Sequence, residues 1–319
     1  MSSREEDRKM GKALHRARIA AVVVALACTV ACCSLGGCGS SSDEATSGPS
    51  YSEPTSIETS GFDASAAEGQ NDALIDVSSS SKGYVGASAT SASKLKFQVS
   101  SGEMSYSYDL PSDGTPIVCP INMGDGAYTF RVMRNVEKDS YVEICSVSSQ
   151  VTLDSEFEPY LRPNVFCDYD EDSACVAKAR DLASDATNEG DVLSSVCDYI
   201  THNVTYDRGK AASLSSVTGY VPDPDATLAS GTGICFDYSS LGAAMLRSLG
   251  IPCKIMTGYV SPDDIYHAWI MVYIDGKWTM VGFDVESNTW TRVDLTFAAS
   301  DGNNGYVGDG SEYTDRYTY

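Results

Sequence analysis

The chain has 319 residues, and 44 Asp and Glu outnumber 22 Lys and Arg to give a formal net charge of −22. A field of that sign excludes nucleic acid as a ligand class and excludes a polybasic grip on anionic lipid. The length leaves room for one substantial core or two smaller ones beside non-globular segments.

At the N-terminus Arg4, Lys9, Lys12, Arg16 and Arg18 precede a stretch from Ile19 to Leu35 that is almost wholly apolar or small. This is the charged region and apolar region of an export signal. The stretch also approaches the lower length limit for a spanning helix, so an uncleaved anchor is the competing reading. Leu35-Gly36-Gly37-Cys38, followed abruptly by Gly39-Ser40-Ser41-Ser42-Asp43-Glu44, resembles the lipobox of bacterial lipoproteins, with Gly36 where Ala or Ser is frequent. The resemblance implies a signal peptide over 1–37, a lipid on Cys38, and a mature protein anchored at the outer face of a bacterial cell membrane.

Residues 38–90 are rich in Ser, Ala, Gly, Thr, Asp and Glu with scattered apolar positions such as Ile57, Phe62, Leu74, Ile75 and Val77. That composition predicts a disordered tether. Over 91–165, the runs Leu95–Val99, Tyr128–Met133 and Tyr141–Val147 alternate with period two between turn signals, which predicts a small β domain.

From 166 to 319 the pattern becomes that of an α+β domain, helices first and antiparallel strands after. Ala174 to Ala183 and Val192 to Val204 carry helical spacing; Tyr206 to Gly231, with two Gly and two Pro inside, reads as a long loop. A third helix follows Cys235 and stops at Gly250 and Pro252. Strands are expected at Cys253–Val260, Ala268–Ile274, Trp278–Phe283 and Trp290–Phe297, with Asp275-Gly276-Lys277 as a hairpin turn. The Gly- and Tyr-rich stretch from Asp301 to Tyr319 reads as a terminal loop.

Beyond the apolar signal and Cys38 there are seven cysteines, Cys119, Cys145, Cys167, Cys175, Cys197, Cys235 and Cys253. Outside the cell an odd count leaves at least one thiol unpaired, most simply Cys235, unless an anaerobic setting keeps them all reduced. No spacing suits zinc, and no cofactor is expected.

Cys235 follows Gly231-Thr232-Gly233 and stands at a helix start, where unsatisfied amides and the positive helix end stabilise a thiolate and can donate to an oxyanion. A thiol enzyme using imidazole has two histidines beyond the signal segment to draw on. His202 lies at the frayed end of a helix and reads as a surface histidine; His267 heads a strand and can face the Cys235 helix. For the residue orienting the imidazole, folding the hairpin about Asp275-Gly276 places Asp284 beside His267, whereas a longer excursion lets Asp294 take that place.

At these residues the chain resembles the transglutaminase-like superfamily. Gly233-Ile234-Cys235-Phe236-Asp237-Tyr238-Ser239 looks like its glycine-x-cysteine motif, His267-Ala268-Trp269 like its histidine motif, and Trp290-Thr291-Arg292-Val293-Asp294-Leu295-Thr296 like its third, with Leu295 for the usual proline. The resemblance covers about 172–298 and implies a papain-like cysteine fold with Cys235, His267 and Asp294 as the catalytic set and Asp284 as the alternative third member. It also implies an upstream helper for the oxyanion, for which Tyr220 is a candidate. The expected chemistry is a cysteine acyl-enzyme that hydrolyses amide or peptide bonds in surface protein or cell-wall peptides. A protein-glutamine crosslinking transglutaminase and a catalytically inactive binding or scaffold module on the same fold are the alternatives.

Overall fold

The computed structural model describes residues 46–215, 217–261, 264–280, 283–286, 290–301 and 312–319. The expected signal peptide, Cys38 and the first residues of the expected tether lie outside the described residues.

Residues 46–90 are folded, which corrects the expectation of a tether. β1 (Glu68–Gln70) and β2 (Ala73–Asp76) are joined by Asn71 and Asp72, both at positive φ, the two-residue hairpin geometry that Asn and Asp tolerate. β3 (Tyr84–Ala89) pairs with β2. The apolar positions of these strands are few and small, but Ala73 and Ile75 alternate on one face, as do Val85, Ala87 and Ala89, and all five are buried. Composition hides this because alanine counts as filler in a Ser/Ala-rich run, and because the partners that bury it are remote in sequence. Ile57 packs into the helical core, and its amide donates to Glu171.

β4 (Leu95–Ser101), β5 (Met104–Leu110), β6 (Ile117–Pro120), β7 (Gly126–Glu137) and β8 (Ser140–Val151) follow. They form two four-stranded sheets with strand orders β1-β2-β3-β6 and β5-β4-β7-β8. Phe97 and Val99, Tyr106 and Tyr108, and Phe130 and Val132 alternate inward and meet the inward faces of β2 and β3 in one core, a β-sandwich. Each such side chain contributes about 1.5–3 kcal/mol on burial. The boundary expected near residue 90 therefore falls inside a sheet, since β3 pairs with β6 across it.

The second half begins with α1 (Ala174–Ala183) and α2 (Glu189–Asn203), the latter capped by Asn188, whose side chain accepts from the Asp191 amide. The stretch expected to be a long loop contains β9 (Thr205–Tyr206), α3 (Arg208–Leu214) and α4 (Pro224–Ser230). Asp207 and Asp223 cap the two helices, Pro224 opens α4 and left-handed Gly231 ends it, so its turn-forming residues are helix boundaries. β10 (Thr232–Gly233) pairs in parallel with β9 and leads into α5 (Cys235–Ser248).

Every residue of α5 from Asp237 to Ser248 is buried, which makes it the central helix of the body. Its Arg247 guanidinium donates to the main-chain oxygens of Cys253, Arg162 and Tyr319 at 2.8–3.0 Å. Against it lies a sheet of β11 (Cys253–Val260), β12 (Ile265–Val272), β15 (Thr291–Val293) and β16 (Tyr313–Thr318), ordered β15-β12-β11-β16, while β13 (Lys277–Met280) and β14 (Phe283–Glu286) form a separate ribbon. Three expectations fail here. The turn at left-handed Gly276 takes the chain out of the sheet after β12 instead of folding it back, and β15 claims that edge. The last strand stops at Val293 because Asp294 starts α6 (Leu295–Asp301). The expected terminal loop is in part β16, paired with β11.

Candidate active site

Gly233 fits its place by close approach. A Cβ there would lie 2.6 Å from the Asp237 Cβ, because Asp237 folds back so that its Oδ2 accepts from the Ile234 amide at 2.7 Å. That bond ties off the entry to α5 and sets Cys235 as its first residue. All seven described thiols are unpaired and six are buried; Cys235 is the one with partial exposure.

Asp237 is 0% exposed, and its charge is answered by Lys210 Nζ of α3 at 2.7 Å and by the Tyr220 hydroxyl, which donates to Oδ1. Burial alone would lower the Lys210 pKa, but the bonds to Asp237 and Tyr220 outweigh it and raise it. Tyr220 therefore gives its single hydroxyl hydrogen to Asp237, which leaves none for the oxyanion role expected of it. Tyr206, opposite Gly233 on β9, lies within electrostatic reach of the thiol: burial raises its pKa first and Cys235 raises it further.

His267 is the third residue of β12 and 5% exposed. Its Nε2 donates to Asp294 Oδ2 at 2.9 Å, and Cys235 lies within electrostatic reach of the same ring, which leaves Nδ1 for sulfur. Phe297 of α6 stacks on the imidazole at 4.6 Å between centroids. Burial lowers the His267 pKa, but Asp294 and then Cys235 reverse the effect and hold it up at about 10.

Asp294, 2% exposed, stands at the head of α6, where its Oδ1 accepts from the amides of Thr296 and Phe297 at 3.1 and 3.0 Å. Its Oδ2 takes His267 and the hydroxyl of Tyr313, the latter at 2.8 Å. Burial raises the carboxyl pKa, yet these donors, His267 first, bring it below the ordinary value. Leu295, in place of the motif's proline, reaches into α5 at Gly242, where a Cβ would stand 2.7 Å from its Cδ1. The helix that carries Cys235 and the helix that Asp294 caps thus touch directly.

Cys235, His267 and Asp294 are brought together. Asp284 is not brought beside His267: it stands opposite Thr279 in the β13–β14 ribbon, and the residue opposite His267 is Gly258 of β11. His202 is turned to its own helix, with Nδ1 donating to the Asp198 carbonyl at 2.7 Å. Sequence reading missed Tyr313, Phe297 and Lys210. A strand signal was available for the first, since Tyr313-Thr314-Asp315-Arg316-Tyr317-Thr318 is dense in aromatic and β-branched residues.

Residues 176–294 match the Transglutaminase-like superfamily. The chain is thus an all-β region followed by a mixed helix-and-sheet domain of transglutaminase-like and papain-like architecture. No curated protein matches it. Among solved structures it is similar to a candidate cysteine protease from Cytophaga hutchinsonii, at 18% identity and TM-score 0.39 over 73% of either chain. It is also similar to a protein described as a TGase, at 18% identity and TM-score 0.30 over 44% of this chain and 33% of that one. Red sea bream transglutaminase matches at 11% identity and TM-score 0.29 over 67% and 48%. The chain spans less than half the length of these last two.

Proposed function

We infer that the protein is a thiol enzyme acting on amide or peptide bonds through a cysteine acyl-enzyme, as a peptidase or amidase on surface protein or cell-wall peptides. The observation that carries this reading is the ring of His267, bonded to the buried Asp294 carboxylate and within electrostatic reach of Cys235, the one partly exposed thiol among the described residues. His267 prefers the protonated state, which supports its part as proton donor to the leaving amine.

The Cys235 thiolate attacks the carbonyl carbon of the substrate amide. The oxyanion that forms is met by the amide at the head of α5. The C–N bond breaks as His267 gives its proton to the leaving amine, and a thioester remains on Cys235. His267 then takes a proton from water, hydroxide attacks the thioester, and the acid departs as the thiolate returns. Asp294 holds the ring so that Nδ1 faces sulfur throughout. The lipobox-like segment supports attachment through a lipid on Cys38 at the outer face of a bacterial membrane; among the described residues no helix is long and apolar enough to cross one.

A test is to expose the protein to cell-envelope peptides and follow acylation of Cys235 by intact mass beside amine release. Turnover that vanishes in Cys235→Ala and His267→Ala supports hydrolysis. Ammonia release with incorporation of a labelled primary amine turns the reading to crosslinking, and no acylation of Cys235 by any amide sinks both.

A further inference from the structure

The Asp294 carboxylate has two oxygens and about four acceptor sites, and all four are used. Two amides of α6 hold Oδ1, while His267 and Tyr313 share Oδ2. The cap alone fixes one oxygen and leaves the other to water or rotation; the Tyr313 hydroxyl closes that freedom. We propose that Tyr313 is a positioning residue of the site, acting through Asp294 to keep its Oδ2 on His267 Nε2. The proposal rests on the acyl-enzyme reading above and adds a fourth side chain to it.

Tyr313 is itself held firmly. Its ring meets Trp269 edge-on at 4.9 Å, and the Arg292 guanidinium lies 3.9 Å over its face. Its backbone pairs with Val260, while the other end of β16 is secured by main-chain bonds between Tyr319 and Ile255 and by the Thr318 amide, which donates to the Tyr106 hydroxyl of the sandwich. Burial, and then the charge of Asp294, push the phenol pKa up, so the group stays a donor. Tyr313 lies beyond residues 176–294, the stretch that matches the superfamily, so none of the three motifs contains it.

The alternative is that Tyr313 is only an aromatic that packs, a role phenylalanine would fill. The chain has three histidines, which makes the titration of His267 resolvable by ring nitrogen NMR in the full-length protein. In Tyr313→Phe the titration falls by about one pH unit, the worth of a hydrogen bond to a charged group that no longer fixes the carboxylate. It falls further in Asp294→Asn. Placing p-aminophenylalanine at 313 restores a donor of similar reach and brings the titration back. A Tyr313→Phe protein whose His267 titrates as in the parent, or higher, overturns the proposal whatever its melting temperature does. A parent His267 titrating at the ordinary imidazole value and indifferent to Asp294→Asn removes instead the reading beneath it.

Discussion

Two buried carboxylates flank the candidate nucleophile, one at the start of α5 and one at the start of α6, and they are answered differently. Asp237 meets a lysine, a tyrosine and the Ile234 amide; Asp294 meets a histidine, a tyrosine and two amides of its own helix. The recipes differ by one amide and, with more consequence, in the cation. Lys210 keeps its charge at any physiological pH, so Asp237 is a fixed brace that shapes the entry to α5. An imidazole can gain and lose a proton, so the pair around Asp294 can change state during a reaction. Proximity to the thiol therefore does not assign a role; the titratability of the counter-charge does.

This contrast breaks most directly at Asp294. Asp294→Asn should act chiefly on rate, lowering kcat on any amide substrate by on the order of 10³–10⁴, because the asparagine keeps the cap but loses the charge; its cost in stability is the pH-dependent part that the His267–Asp294 pair supplies. Lys210→Met should do the reverse. It strands a fully buried carboxylate and costs about 3–5 kcal/mol in urea unfolding, and Asp237→Asn should restore much of that loss in the double variant.

A pH series sharpens the comparison. His267 is raised from 6.5 to about 10, so its contribution to stability is fully present below 6.5 and is lost as pH rises toward 10. Asp294 is lowered, so its contribution is present above the ordinary value of 3.8 and lost as pH falls through its folded value. Melting temperature should carry a declining alkaline limb between these His267 values that disappears in His267→Gln, and Lys210→Met should retain it. The smallest effect belongs to Asp284→Asn, expected within about twofold of the parent rate, as for a substitution away from the chemistry. A loss equal to that in Asp294→Asn would return Asp284 to the site.

Local rules carried the reading of α5, β11 and the motif residues, because a helix start after glycine and a run of period two are settled by neighbours in the chain. Hairpin arithmetic failed at Asp284 since it assumed that β12 pairs with the next strand, whereas β15 took that edge. The tether failed for a related reason: Val85 and Ala87 are core residues only because β6, some thirty residues on, closes the sheet. Tyr313 needed both kinds of knowledge, a strand hidden in a polar tail and a partner, Asp294, whose helix cap was itself read as strand.

The buried thiols have a use that their lack of pairing creates. Cys119 and Cys145 sit in the sandwich core, and Cys167, Cys175, Cys197 and Cys253 sit in the core around α5. Each becomes reactive only when its surroundings open, so the chain carries its own clocks for local unfolding in both halves. With Cys235 blocked, peptide-resolved alkylation over hours would time those openings. Equal rates in the two sets would mean that sandwich and helical body open together, as Tyr319, packed against both cores, leads one to expect.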